Sequence, residues 1–124
     1  MRRSDQRRAA VFALYQRDVT GRPLDEALAG ATTFTRELVE GVEAHGGELD
    51  EEIGRLAHGW SLERIAALER SILRVALYEL RHRDDIPAEV AIDEAVVLAK
   101  KYCGAEAPAF VNGILGTAAR AERA

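Results

Sequence analysis

Between Ser61 and Arg83 the chain reads SLERIAALERSILRVALYELRHR. Ile65, Leu68, Ile72, Val75, Ala76 and Leu80 recur there at helical spacing, which predicts a helix with a bend before Glu69. An apolar face of that length has to be covered, and no segment elsewhere alternates as a strand would. The cover must come from other helices.

Their limits are marked by caps, glycines and prolines. Ser4 is placed to cap a first helix reaching about Val19, with Arg8 (by its stem), Phe12, Tyr15 and Val19 on the expected inward line and Val11 and Leu14 beside it. GRP at 21–23 stops it, and a short turn, LDEALAG, ends at Gly30. The next helix starts near Thr33 or Thr35, carries Leu38, Val39 and Val42, and is expected to break at HGG, 45–47. ELDEEIGRLAHGW places Leu49, Ile53, Leu56 and Ala57 at helical spacing before Gly59 interrupts and Ser61 offers a cap. Beyond IP at 86–87 a helix over roughly 87–102 buries Val90 or Ala91, then Ala95, Leu98, Ala99 and Tyr102. Gly104 ends it, and Pro108 opens the last, PAFVNGILGTAARAERA. The pattern predicts an all-α single domain over 1–124 with about seven helices, in an N-terminal half of about 1–47 and a C-terminal half of about 48–124. Gly41, Gly54, Gly113 and Gly116 fall inside helices, where close helix–helix approach is the expected reason for them.

A chain of 124 residues, 48% hydrophobic, can bury a core without staples, and its single Cys103 cannot form an internal disulfide. No apolar run approaches the roughly 20 residues of a membrane span. The N-terminus turns charged too soon for a secretory signal, so a cytoplasmic protein is expected.

The net charge of −4 conceals an uneven distribution. Residues 1–17 carry Arg2, Arg3, Arg7, Arg8 and Arg17 against Asp5 alone, and residues 70–83 carry Arg70, Arg74, Arg81 and Arg83 against Glu79. The segment between them is strongly acidic. Arginines near a helix N-terminus oppose the macrodipole, so local stability does not account for Arg7 and Arg8. Guanidinium groups bind phosphate bidentately and stack on unpaired bases, which makes nucleic acid the natural ligand of two basic segments that meet in the fold. The plainer alternative is that arginine is this chain's preferred base, with 15 Arg to two Lys.

Catalytic and metal chemistry have little to stand on. His45, His58 and His82 share no ligand spacing with one another or with Cys103, so no metal site is expected. GGELDEE lacks the glycine-bounded alternation of a calcium loop, and no glycine-rich phosphate loop follows a strand. No cofactor and no small-molecule substrate are expected.

ILRVALYEL (72–80), IPAEVAIDEAVVLAKKY (86–102) and FVNGIL (110–115), in that order, resemble the NusB family of transcription antitermination factors, and RRAAVFALYQRD resembles that family's first helix. The resemblance spans nearly the whole chain. It implies a fold of two small packed helical bundles and a non-catalytic adaptor. It further implies binding to the single-stranded boxA element of ribosomal RNA leader transcripts, together with NusE (small-subunit ribosomal protein number ten), within an RNA polymerase antitermination complex. Carried over by position, Arg2, Arg3, Arg7 and Arg8 match the RNA-binding start, Arg74 a basic position near the same surface, and Phe110 an aromatic that meets a base. Tyr15 and Glu69 match positions at the NusE interface. On spacing alone Phe110 also fits a core position with Ile114, Tyr15 burial with Phe12, and Glu69 a solvated charge. Asn112 and Gly113 read as structural, tying helix ends and permitting close contact.

Two departures bear on this. AEAPAF stands where the family often has a polar pair, and the loop is shorter by about one residue, which puts its RNA contacts in question. The acidic middle suggests dependence on a basic partner. Two other readings compete: the NusB-like module of a ribosomal RNA cytosine methyltransferase, for whose cofactor-binding sheet domain 124 residues leave no room, and a helical protein–protein adaptor without RNA binding.

Overall fold

The computed structural model describes residues 1–123, with side chains through 121; Ala124, at the end of the expected last helix, lies outside the described residues. Seven α-helices and one 3-10 turn form the described chain, with no strand among those residues. They are α1 (Arg3–Thr20), α2 (Leu24–Ala27), α3 (Thr33–Ala44), α4 (Gly46–Leu56), the turn Leu62–Arg64, α5 (Ala67–His82), α6 (Ala88–Tyr102) and α7 (Ala107–Arg123). None is long and apolar enough to cross a membrane.

The long apolar stretch becomes the central helix. Ser71, Ile72, Leu73, Val75, Ala76, Leu77 and Glu79 are all buried, so α5 is covered around most of its circumference. It packs against α1, α3, α4, α6 and α7, and one hydrophobic core runs from Ala10 to Ala118. The expected bend lies at Ile65–Ala66, where extended backbone separates the 3-10 turn from α5. α3 approaches α5 closely at Gly41, where a Cβ would overlap the Tyr78 ring.

Three local expectations are corrected. α1 begins at Arg3 with no side-chain cap, and the Ser4 hydroxyl donates instead to Glu94 Oε1 of α6 at 2.7 Å. The expected break at 45–47 is a one-residue joint: His45 N–H donates to Gly41 O and its carbonyl accepts from Leu49 N–H, so hydrogen bonding is continuous from α3 into α4. α1 also faces a different way. Its inward line is Arg7, Ala10, Val11, Ala13 and Leu14; Phe12 and Tyr15 are half-exposed, and Val19 is exposed. The expected stripe is one residue out of register, which is about 100° around a helix.

Candidate nucleic-acid interface

The N-terminal arginines divide into two groups. Arg2 and Arg3 stand in solvent and Arg8 half in it, with side chains 86%, 52% and 41% exposed. Their acidic neighbours are Asp5, 3.8 Å from Arg2 and 3.2 Å from Arg8, and Asp85, 4.0 Å from Arg3. Arg7 is different, since only 4% of its side chain is exposed. Its Nε donates to Glu79 Oε2 at 2.9 Å and Oε1 at 3.2 Å, and a terminal nitrogen lies 2.9 Å from Oε2. Arg7 is therefore walled in and not presented to RNA; it neutralises a carboxylate that α5 carries into the core. Burial pushes the Glu79 carboxyl above its ordinary range, and the Arg7 guanidinium offsets that only in part.

The two basic segments do meet, at Phe34 of α3. The guanidinium carbons of Arg3, Arg7 and Arg83 lie 4.2, 5.3 and 5.5 Å from its ring centre, a cation–π cluster at the base of the arm. Arg83 is also held by Asp85 at 2.9 Å and Glu37 at 3.2 Å. Its hydrogen bonds draw the exposed Asp85 carboxyl down to about 2.

Arg74 lies elsewhere. It makes a bidentate pair with Asp50 of α4 at 2.7 and 3.1 Å and lies 3.6 Å from Asp18. Asp18 is ten residues, about 15 Å of helix, beyond Arg8. The expectation that Arg74 adjoins the N-terminal surface is corrected: it lies by the far end of α1 from the arm, paired with Asp50 and Asp18.

Phe110 and Glu69 share one groove. A cleft of about 570 Å³ is lined by Trp60, Arg64, Ile65, Glu69, Ala107 and Phe110, among others. Phe110 is half-buried, on the rim rather than in the core, with its ring 6.4 Å from that of Trp60. Trp60 is 54% exposed and is carried by a tight turn in which His58 and Gly59 both have positive φ (47° and 89°). Sequence reasoning passed over Trp60; a lone tryptophan beside Gly59 was its signal. Burial raises the Glu69 carboxyl, and burial followed by the Glu69 charge raises the Cys103 thiol. A second cleft continues from Phe110 and Trp60 along α7 past Gly113 to Thr117. Asn112 and Gly113 are exposed, and a Cβ at Gly113 would meet nothing, so the close-contact role expected for that glycine is not found.

Tyr15 belongs to an aromatic ladder on the outer side of α1. The Phe12 ring meets Tyr15 edge-on at 6.3 Å and Tyr102 of α6 at 5.1 Å, and Tyr15 itself is half-buried. Arg8, Phe12, Tyr15 and Val19 form a continuous line leading away from the arm. At its far end Asp18 pairs with Arg70 at 3.0 Å, the neighbour of Glu69 in sequence. The arrangement joins exposed cations, an outward apolar stripe and an aromatic-walled groove on one molecule. Phosphates, a protein surface and flat bases are the chemistries each would accept.

Comparison with known proteins bears on what accepts them. The model of the NusB family matches residues 4–120. The transcription antitermination protein NusB of Geobacillus kaustophilus is 45% identical over 121 residues, covering 93% of each chain. That of Rubrobacter xylanophilus is 43% identical over 122 residues, covering 93% of this chain and 88% of the other. Among solved structures, T. maritima NusB superposes with a TM-score of 0.89 at 33% identity, covering 97% of this chain and 92% of that one. A chain from a complex of antitermination factors NusB and NusE with dsRNA superposes with a TM-score of 0.83 at 26% identity, covering 96% of each. The chain belongs to the NusB family of non-catalytic transcription antitermination factors.

Proposed function

We propose that this protein is a cytoplasmic antitermination adaptor that binds boxA-type RNA together with NusE and joins that pair to transcribing RNA polymerase. The observation that carries the reading is the spatial order along α1: exposed Arg2, Arg3 and Arg8 at one end, then the outward line Phe12, Tyr15, Val19. The arginines hold phosphates and fix register, as sequence-independent contacts do. Phe110, with Trp60 beside it, offers flat apolar surface on which an unpaired base stacks, worth about 1–3 kcal/mol per base. Tyr15 and the Glu69 rim of the groove receive NusE, and the acidic body attracts a basic partner. The likeness to a chain solved with NusE and RNA supports both partners without fixing the RNA sequence.

Fluorescence-anisotropy titration of a boxA-type RNA, with and without NusE and at two salt concentrations, tests this. Tighter, salt-sensitive binding in the presence of NusE is expected. A folded protein that binds RNA in none of these conditions would leave a protein-only adaptor.

A further inference from the structure

On the side of the molecule where α3, α4 and α5 meet, three side chains converge that the RNA and NusE surfaces do not use. His45 occupies the α3–α4 joint, Glu48 the first turn of α4, and His82 the last turn of α5. Glu48 Oε1 lies 2.7 Å from His45 Nδ1 and 2.9 Å from His82 Nε2. The two imidazoles stack with centres 3.7 Å apart and planes within 17°, and Tyr78 stacks against both, at 6.0 and 5.5 Å. One donor atom from each of the three residues falls within a 4.8 Å cluster reachable from solvent. His45 and Glu48 are three apart in sequence, but His82 is 34 residues from Glu48, so ligand spacing could not reveal the set.

We propose that His45, Glu48 and His82 form a binding site for a divalent transition-metal ion of the zinc class, which clamps the α3–α4 joint to the end of α5. Two imidazole nitrogens and one carboxylate oxygen are the ligands zinc accepts, leaving a fourth position for water. Nitrogen donors select against magnesium and calcium, which take oxygen. In a tetrahedral zinc site with bonds of about 2.0–2.2 Å, ligand atoms stand about 3.3 Å apart. The two Glu48 spacings need to open by about half an ångström, and the imidazoles, now nearly parallel, must turn out of their stack so that their in-plane lone pairs converge on the ion, a rearrangement open to these partly exposed side chains. Tyr78, packed on Gly41, stacks behind both rings and keeps them on the same side of the joint.

The test uses the full chain without a histidine tag, stripped with chelator and titrated with zinc chloride by calorimetry, with thermal unfolding followed in parallel. Saturable binding at one ion per chain is expected, with a Tm increase of roughly 5 °C or more at a hundredfold excess over Kd, reversed by chelator. Cobalt(II) should give the visible bands of a four-coordinate ion. His82→Ala and Glu48→Gln, each checked for native circular dichroism, should weaken binding at least about tenfold and cut the Tm shift to about half or less at the same zinc concentration. His58→Asn, a histidine outside the cluster, should leave both unchanged. Absence of saturable binding, or equal binding by the His82 and Glu48 variants, overturns the proposal.

Discussion

Replacing Arg7 by alanine is expected to damage the fold before it touches RNA binding. The Arg7 and Glu79 side chains are 4% and 1% exposed, and two guanidinium nitrogens lie 2.9 Å from Glu79 Oε2. Removing one partner of such a pair strands the other charge, at about 3–5 kcal/mol. Glu94, 3.9 Å from the same guanidinium, then loses its nearest cation as well. A domain of this size is stable by about 5–15 kcal/mol, so the loss is a large fraction of the whole. The Tm should fall by roughly 10–20 °C. The pH dependence has a definite sign. The folded-state pKa of Glu79 is raised by burial, and without Arg7 nothing comparable offsets it. A raised carboxyl favours folding when protonated and opposes it once pH climbs through the folded-state value. The deficit of Arg7→Ala relative to the parent should therefore shrink between about pH 7 and about pH 4.5. Arg7→Met with Glu79→Leu should restore most of the stability, because no buried charge remains. Urea unfolding at both pH values supplies the numbers. A deficit below about 1 kcal/mol at neutral pH, or one that does not shrink on acidification, would refute the reasoning.

Other outcomes can be measured alongside. Gly41→Ala should destabilise, since its Cβ overlaps the Tyr78 ring, whereas Gly54→Ala and Gly113→Ala, whose Cβ atoms meet nothing, should each add about 0.5–1 kcal/mol by helix propensity. Asp85 has a folded-state value drawn from 3.8 to about 2, so its contribution is present above 3.8 and lost as pH falls through 2; in acid titrations Asp85→Asn should remove that part of the pH dependence. Phe110→Ala and Trp60→Ala should each weaken RNA binding by about 1–3 kcal/mol in anisotropy titrations while leaving NusE binding intact. Glu69→Lys should weaken NusE capture without weakening RNA binding, because it adds a cation to the groove that Glu69 shares with Phe110.

The helices were legible because period and punctuation agree: glycine at 21 and 30, proline at 87, and the apolar recurrence through 72–80 all mark what the structure contains. The facing of α1 was not. A buried arginine reads as a surface residue, so the large aromatics at 12 and 15 drew the inward line one position away from Arg7, Val11 and Leu14. Those aromatics are half-exposed because they pack along the outer side of α1, Phe12 against Tyr102 of α6, a contact that no single helix encodes. Glycines at 46 and 47 suggested a loop, but the first turn of a helix has unpaired N–H groups in any case and tolerates them. Of the candidate site, the exposed Arg2, Arg3 and Arg8 followed from charge distribution and Phe110 and Glu69 from the family resemblance, and the structure sets the last two on one groove. The saturation of Arg74 by Asp50, and the meeting of His45 with His82, depend on pairings across the fold that periodicity does not encode.

The salt dependence of RNA affinity, compared between the parent and the Arg2→Ala, Arg3→Ala, Arg8→Ala triple variant, tests the central claim most directly. Each arginine that neutralises a phosphate on a single strand contributes about 0.7 to the slope of log K against log salt. If these three hold the RNA backbone, the triple variant should bind more weakly and its slope should be shallower by about 2, with NusE affinity unchanged. An unchanged slope in a folded variant would contradict the account and place the phosphate contacts elsewhere on the molecule.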